Sequence, residues 1–352
     1  MLDAAVLIGR FQPVHHGHLA LVREALARAP QVFIVVGSAY QARSPKNPFT
    51  WQERATMLRE SLPETERHRV TVLPIRDHYN ERLWAQAVQQ AVIARTGPQA
   101  RIALVGHFKD ASSSYLAAFP EWSLVRMQRQ ASMDANTIRD AYFGALPGML
   151  DVALAPLADD VPGATRRWLA TFSHTPQYTY LQEEWRMLRD YRASWAGAPY
   201  PPIFVTVDAV VLCQQQVLLI QRARAPGKGL WALPGGFLEP HDTLWQSCLR
   251  ELVEETHCEL PESTWHAALQ QVRVFDHPDR SQRGRTITHV HCFDLGTASV
   301  PPVRADDDAA LATWVSIGQV ASLEEQFFED HFHVVSQVLP GILANTAVCG
   351  VG

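Results

Sequence analysis

The amino-acid sequence predicts an α/β chain of two domains, a doubly wound parallel sheet followed by an α+β domain. Three observations predict it. The first half alternates short apolar runs with amphipathic helical patterns, the rhythm of parallel strands joined by helical crossovers. The stretch Ala196-Gly197-Ala198-Pro199-Tyr200-Pro201-Pro202, small residues and prolines, reads as a join. Beyond it, β-like runs surround one clear helix. The expected domains are therefore 1–198 and 199–352. The total of 352 residues agrees, being long for a single core.

Taken in order, Ala4-Ala5-Val6-Leu7-Ile8 is the first strand, and Leu19, Val22, Leu26 and Ala29 share one face of the helix after it. Val32–Val36, Val70–Ile75 and Ile102–Gly106 follow as buried strands. Thr50-Trp51-Gln52-Glu53 has the form of a capping box that opens a second helix, and Glu81–Arg95 is a third. From Asp159 to Trp195 the pattern turns helical and aromatic, an annex expected to pack on the first domain. After the join, Ile203–Cys213 and Val217–Gln221 make a hairpin, with further strands at Val272–Phe275, Thr286–Phe293 and Thr313–Val315. The sequence has no internal repeat and no low-complexity tract.

Composition narrows the function classes. A 47% hydrophobic and 19% charged chain has the balance of a globular protein. The net charge of −5 supplies no basic field for nucleic acid or an anionic membrane. No apolar run approaches the roughly 20 residues a bilayer demands, and the first residues lack the form of a leader, so the expected location is the cytoplasm. Cys213, Cys248, Cys258, Cys292 and Cys349 include no CxxC pair. They are expected as free thiols.

Chemistry first appears in Gly9-Arg10-Phe11-Gln12-Pro13-Val14-His15-His16-Gly17-His18, a tight turn from strand to helix. A helix N-terminus offers unpaired N–H groups and a positive dipole end, which suits phosphate. The topology puts this turn at the carboxyl end of a strand, where doubly wound sheets bind ligands. The stretch resembles the (H/T)xGH signature of the nucleotidyltransferase superfamily. Together with Gly37-Ser38-Ala39, Asn47-Pro48-Phe49-Thr50-Trp51-Gln52-Glu53-Arg54 and Gly106-His107-Phe108-Lys109-Asp110, it is similar to nicotinamide mononucleotide (NMN) adenylyltransferases of the archaeal-like type.

That resemblance implies a Rossmann-like nucleotidyltransferase domain, with ATP and NMN as substrates, NAD as product and Mg²⁺ as cofactor. The nucleophile arrives already charged, so the reaction needs position and positive charge more than a base. His15, His18 and Arg10 take the catalytic role. Gly9, Phe11, Gly17 and Arg139 bind ATP phosphates. Asn47, Trp51, Arg54 and Lys109 bind NMN. Arg54 and Lys109 read equally well as solvated charges, and Trp51 as a core aromatic. Met133-Asp134-Ala135-Asn136-Thr137-Ile138-Arg139 stands where the family has an ISxTxIR-like motif. Asp134 and Asn136 replace its Ser and Thr, and Asn136 is expected to cap the helix that carries Arg139.

The second constellation is Gly236-Phe237-Leu238-Glu239-Pro240-His241-Asp242, then Arg250-Glu251-Leu252-Val253-Glu254-Glu255-Thr256-His257-Cys258. Helical spacing puts Glu251, Glu254 and Glu255 on one face, with Trp245, Leu249 and Leu252 toward the core. Crowded carboxylates repel unless a divalent cation occupies the site, and oxygen ligands suit Mg²⁺ or Mn²⁺. The pattern resembles a Nudix box. The resemblance implies Glu251 and Glu254 as catalytic, and Gly236, Glu251, Glu254 and Glu255 as metal ligands. Two positions depart from the box. Asp242 replaces Glu and is expected to cap the helix. His257 replaces the helix-ending Gly at a position of positive φ. The segment from Phe275 to Arg280 and from Arg283 to Thr288 resembles ADP-ribose pyrophosphatases, which implies Arg280, Arg283 and Arg285 as ADP-ribose ligands; exposed hairpin arginines are the alternative. Asp306-Asp307-Asp308 reads as a solvated acidic turn.

Both signatures in this order resemble a bifunctional family, an NMN adenylyltransferase fused to a Nudix hydrolase. The implied function is NAD synthesis from NMN and ATP, plus metal-dependent hydrolysis of ADP-ribose to AMP and ribose 5-phosphate. Two alternatives remain: a Nudix domain that senses a nucleotide without cleaving it, or a first domain acting on another phosphorylated acceptor. The expected partners are ATP, NMN, NAD and ADP-ribose, with no nucleic acid and no membrane; a homo-oligomer is left open.

Overall fold

The apolar runs of the first half pair side by side, each burying both faces. In a computed structural model, which describes residues 2–106, 118–127, 134–297, 299–339 and 342, the chain divides into two units, Met1–Glu183 and Glu184–Gly352. The first unit runs β1 (Ala4–Gly9), α1 (His16–Arg28), β2 (Gln31–Val36), α2 (Trp51–Glu60), α3 (Glu64–Arg67), β3 (Val70–Pro74), α4 (Glu81–Thr96), β4 (Ile102–Gly106), β5 (Ser123–Arg126), α5 (Ala135–Gly144), α6 (Leu150–Leu154) and α7 (Gly163–Phe172). Helix α8 (Pro176–Ser194) contains the division.

Among the described residues the first sheet has the order β3-β2-β1-β4-β5, all parallel. The chain leaves β1 toward one edge and returns to β4 on its other side, which makes the carboxyl ends of β1 and β4 the switch point. The doubly wound expectation is met. On one face Val6, Phe33, Val35 and Leu104 pack against Val88 and Val92 of α4. The annex packs through hydrogen-bonded aromatics: Tyr142 Oη donates to Leu169 O and Tyr178 Oη to Tyr142 O, both at 2.8 Å. Strand β5 was not visible in the sequence because it is short and mostly exposed, so no apolar run announces it.

The second unit continues with β6 (Ile203–Cys213), β7 (Gln216–Arg222), β8 (Trp231–Ala232), β9 (Gly235–Phe237), α9 (Leu244–Thr256), α10 (Glu262–Ala268), β10 (Leu269–Phe275), β11 (Arg285–Asp294), β12 (Ala309–Ser316), α11 (Ile317–Val320) and α12 (His331–Val338). Its mixed sheet has the order β10-β11-β6-β7-β12, with β8 on β7 and β9 on β6. Strands β11 and β6 are parallel and the other pairs antiparallel. The α+β expectation is met.

Side-chain alternation along β6 serves two cores. Val207, Ala209 and Val211 join Leu252 of α9 and Trp265 of α10, whereas Val210 joins Phe332 and Val335 of α12. Helix α12 escaped the sequence reading because Phe332 and Val334 alternate as a strand would. The four described cysteines, Cys213, Cys248, Cys258 and Cys292, are buried thiols outside any disulfide. Among the described residues no helix is long and apolar enough to cross a membrane.

Candidate active sites

In the first unit β1 ends at Gly9, and the chain turns through Phe11, whose φ is 55°. A Cβ on Gly9 would stand 3.1 Å from the Phe11 ring, so glycine lets the turn close. Gln12 is buried and clasps Phe49: its Nε2 donates to Phe49 O at 2.7 Å, and Phe49 N donates to its Oε1 at 3.0 Å. His15 stands at the N-cap of α1. Its backbone N–H donates to His18 Nδ1 at 3.2 Å, and the two rings stack with centroids 3.7 Å apart. Because His18 Nδ1 accepts, its proton is assigned to Nε2 in the neutral ring. A Cβ on Gly17 would press on the His15 ring at 3.1 Å. The structure thus brings Gly9, Phe11, His15, Gly17 and His18 together at one helix N-terminus, where anions are favoured.

Arg54 lies deep beneath this turn, 1% exposed. Its guanidinium donates to the carbonyls of Arg10 at 2.7 Å, Gly37 at 2.8 Å, Ser38 at 3.1 Å and Thr50 at 3.2 Å. Burial lowers its pKa to about 10, which leaves it charged at neutral pH. One cation therefore ties the loop after β1 to the loop after β2. Replacing Arg54 with Ala should destabilise the first unit by about 3 kcal/mol or more, because the carbonyls of Arg10, Gly37 and Ser38 lose their donor. A denaturant melt of the full chain checks this; a first-unit transition within about 0.5 kcal/mol of wild type would contradict it.

Arg139 on α5 is also buried, and donates to Gln12 O at 2.5 Å and to Asn136 Oδ1. Burial, with Arg10 nearby, lowers its pKa to about 10. The expected cap is corrected here. Asp134, not Asn136, caps α5, accepting from Asn136 N at 2.8 Å and Thr137 N at 3.1 Å. A carboxylate one residue before the helix reaches two of its unpaired N–H groups, which leaves Asn136 inside the first turn to hold Arg139. Arg10 is exposed. Asn47 donates to Gln41 Oε1 at 2.9 Å. Trp51 lies within the capping box of Thr50 and Glu53 and meets the Tyr40 ring edge-on at 6.4 Å. Lys109 lies outside the described residues. Sequence reasoning missed Asp77, which accepts from Ser38 N at 2.9 Å, Ser38 Oγ at 2.7 Å and Gln41 Nε2 at 3.1 Å, and so fixes the same loop from β3.

In the second unit α9 carries the acidic face. Its cap is Thr243 in a capping box with Gln246, not the expected Asp242. Asp242, one residue too early, instead accepts from Ser247 Oγ and Arg250 Nε, both at 3.1 Å. His257 closes the helix in the left-handed region, φ 49° and ψ 29°, as its replacement of glycine implied. Its Nε2 lies 2.8 Å from Asp306 Oδ2 and 3.2 Å from an Arg304 nitrogen. Arg250 bridges the acids, its NH1 nitrogen 3.1 Å from Glu251 and 2.7 Å from Glu254. Glu255 accepts from Gly235 N–H at 2.9 Å.

Burial raises the Glu251 carboxyl to about 7, aided by Glu254 and Asp307 against the pull of Arg250. Burial raises Glu255 to about 8. A Cβ on Gly236 would fall 2.4 Å from a Glu251 oxygen, so glycine there leaves room for the carboxylate. These groups border a cavity of about 350 Å³. Acids occupy part of its wall: Glu251, Glu254, Glu255, Asp307 and Asp308. The Asp306–Asp308 segment, expected as a solvated turn, thus also faces the site. Guanidiniums occupy another part. Arg280 pairs with the buried Asp330 at 2.8 and 3.0 Å. Arg283 lies 4.8 Å from the Phe237 ring and Arg222 4.4 Å from the Phe328 ring. Arg285 is not among the lining residues; it donates to Asp276 O.

Asp208, Asp330 and His331 also line or support this cavity. Asp208 had a signal in the sequence: it is the one charged residue of a strand that is apolar apart from Thr206. Thr288 Oγ1 donates to it.

Residues 6–138 match the cytidylyltransferase-like family model, and residues 202–338 the NUDIX domain model. The nicotinamide/nicotinic acid mononucleotide adenylyltransferase of Acinetobacter baylyi is 36% identical over 185 residues, 52% of this chain and 94% of that protein. The crystal structure of a bifunctional NMN adenylyltransferase/ADP ribose pyrophosphatase from Francisella tularensis superposes with a TM-score of 0.88 at 34% identity, covering 97% of this chain and 100% of that one. The chain belongs to this bifunctional family. A second structure of the Francisella protein, in complex with AMP and a manganese ion, matches with the same TM-score and coverage.

The family sets a test for the second cavity, whether its residues suit a divalent cation. The donor chemistry fits: hard oxygen ligands, raised carboxyl pKa values that a cation would lower, and a glycine that admits Glu251. Among the described residues no three such side chains converge beforehand, because Arg250 bridges Glu251 and Glu254 while Glu255 is held by Gly235.

Proposed function

We propose that the first unit transfers the adenylyl group of ATP to NMN, giving NAD and pyrophosphate, and that the second hydrolyses ADP-ribose to AMP and ribose 5-phosphate. The observation that carries this reading is the match over 97% of the chain to one bifunctional relative, with a phosphate-ready turn in one unit and a carboxylate-lined cavity in the other.

In adenylyl transfer an oxygen of the NMN phosphate bonds to the α-phosphorus, and the bond to the β-phosphate oxygen breaks. His18 Nε2–H and the His15 ring donate toward the phosphates as charge builds on departing pyrophosphate. Arg10 supplies a further cation from the exposed turn. Arg139 contributes fixed charge and holds Gln12, while Arg54 acts through the loops it ties. Asn47 and Trp51 stand on the loop and helix that would meet NMN, and Lys109 is kept as an NMN ligand by resemblance. Mg²⁺, when bound with ATP, would supply further neutralisation of the phosphate charge.

In hydrolysis a water oxygen bonds to one phosphorus and the bridging P–O bond breaks. Glu251, Glu254 and Glu255, beside Gly236, would hold Mg²⁺ or Mn²⁺, which supplies charge neutralisation and a more acidic water. Glu251, a carboxylate on the cavity wall, takes the proton that the water releases. Arg280 and Arg283 offer charge to the diphosphate. Chromatography of products after incubation with NMN, ATP and Mg²⁺, and separately with ADP-ribose, tests both halves. Absence of NAD would refute the first assignment, and binding of ADP-ribose without metal-dependent cleavage would make the second unit a sensor.

The raised carboxyls give a pH signature. Glu251 and Glu255 ionise at about 7 and about 8 in the fold, against 4.5 ordinarily. Across that interval the unfolded chain holds fewer protons, so the stability of the metal-free second unit falls as pH rises from 4.5 to about 8. Mg²⁺ competes with the same protons, so its binding strengthens over the same rise. Melting curves with and without Mg²⁺ between about pH 5 and about pH 9 check both trends; a metal-free midpoint that climbs with pH contradicts them.

A further inference from the structure

The second cavity contains a polar side chain that no step above uses. His331, the first residue of α12, lines the cavity and is 9% exposed. Leu233 N–H donates to its Nδ1 at 3.0 Å. A backbone N–H only donates, so Nδ1 carries the lone pair and the ring proton resides on Nε2. Nδ1 is thus committed to the backbone, and Nε2 is the ring nitrogen left to face the cavity. The Phe328 ring packs beside it with centroids 5.6 Å apart, which limits rotation.

The surroundings say what this N–H can meet. Of the charged groups that act on His331, three are cavity guanidiniums, Arg280, Arg222 and Arg283, and one is a carboxylate, Asp208. Burial, reinforced by those three cations against Asp208, lowers the imidazole pKa to about 4. The ring therefore stays neutral while remaining a donor. Arg280 commits Nε and NH2 to Asp330, and Arg222 commits Nε to Pro226 O at 2.7 Å. Arg280 keeps its NH1 group, and Arg222 both terminal nitrogens, outside these bonds, so the two bring charge as well as donors to this side of the cavity. An uncharged N–H among them adds a hydrogen bond to an anion without burying a further cation.

We infer that His331 Nε2–H donates to a phosphate oxygen of the diphosphate substrate, on the guanidinium side of the cavity. This rests on the reading of the second unit as an ADP-ribose hydrolase and adds a substrate-binding residue to it. The ring is a donor of fixed tautomer: Leu233 sets which nitrogen holds the proton, and α12 sets where it points.

The test uses the full-length chain labelled with ¹⁵N-histidine, with divalent cations removed by a chelator so that ADP-ribose is not consumed. His331 is expected to show a protonated Nε2 and a bare Nδ1 throughout about pH 6 to about pH 8, and ADP-ribose is expected to shift the Nε2–H resonance. A ring that titrates in this range, or an Nε2–H unmoved while calorimetry of the same sample records binding, overturns the inference. Kinetics give a second readout. H331L should raise KM for ADP-ribose about tenfold or more, and H331Q, which retains an N–H, should recover most of it. A kcat for ADP-ribose near wild type at saturating substrate reports that the second unit is folded. An unchanged KM in H331L overturns the inference, and failure of the wild type to cleave ADP-ribose with Mg²⁺ overturns the underlying reading as well.

Discussion

Replacing Glu254 with Gln is expected to reduce ADP-ribose hydrolysis by about a thousandfold while NAD formation by the same chain is unchanged. The substitution keeps shape and removes charge. Glu254 shares Arg250 with Glu251, so two consequences follow. A ligand oxygen for the cation is weakened, and Arg250 shifts its pairing toward Glu251, whose acidity then changes. The loss should appear chiefly in kcat, and excess Mn²⁺ should restore a minor part. A second unit that melts no earlier than wild type separates a local effect from misfolding. Hydrolysis within about tenfold of wild type would remove Glu254 from the catalytic set.

Replacing His18 with Ala is the counterpart in the first unit. It deletes the Nε2–H donor and the acceptor for His15 N–H, and takes away the ring packed between His15 at 3.7 Å and Phe11 at 4.6 Å. Loss of one preorganised donor to developing phosphate charge lowers kcat by about 100- to 1,000-fold. ADP-ribose hydrolysis should be untouched. H18N retains a short side-chain amide, and should hold the turn while failing to reach the phosphates. If H18A formed NAD at the wild-type rate, the turn would be a scaffold and not a catalytic element.

Much of this arrangement was legible from local pattern. The Thr50–Glu53 capping box, the shared face of Glu251, Glu254 and Glu255, and the left-handed cap at His257 all depend on neighbours within a turn or two. What escaped depends on distance along the chain. Asp77 acts on Ser38, and Asp330 on Arg280 fifty positions away, and no spacing rule links such pairs. Arg54 shows a subtler gap. Its charge could be read as ligand or as solvated surface, whereas the fold buries it among carbonyl groups. A sequence displays a charge but not the dielectric in which it will sit. The caps erred by small shifts, Asp134 for Asn136 and Thr243 for Asp242, because adjacent polar residues compete for the same unpaired N–H groups and only the backbone path decides.

His257 sets a backbone cost against a contact with a loop of the second cavity. A non-glycine residue in the left-handed region costs about 1 kcal/mol, so glycine at this position looks like a simple gain. Here the imidazole has Asp306 and Arg304 as neighbours, next to the Asp307 and Asp308 that border the cavity. Glycine would relax the backbone and release that loop in the same stroke. One side chain thus links the end of the acidic helix to the loop that brings Asp307 and Asp308 to the cavity, so the gain from glycine is offset at the rim of the site.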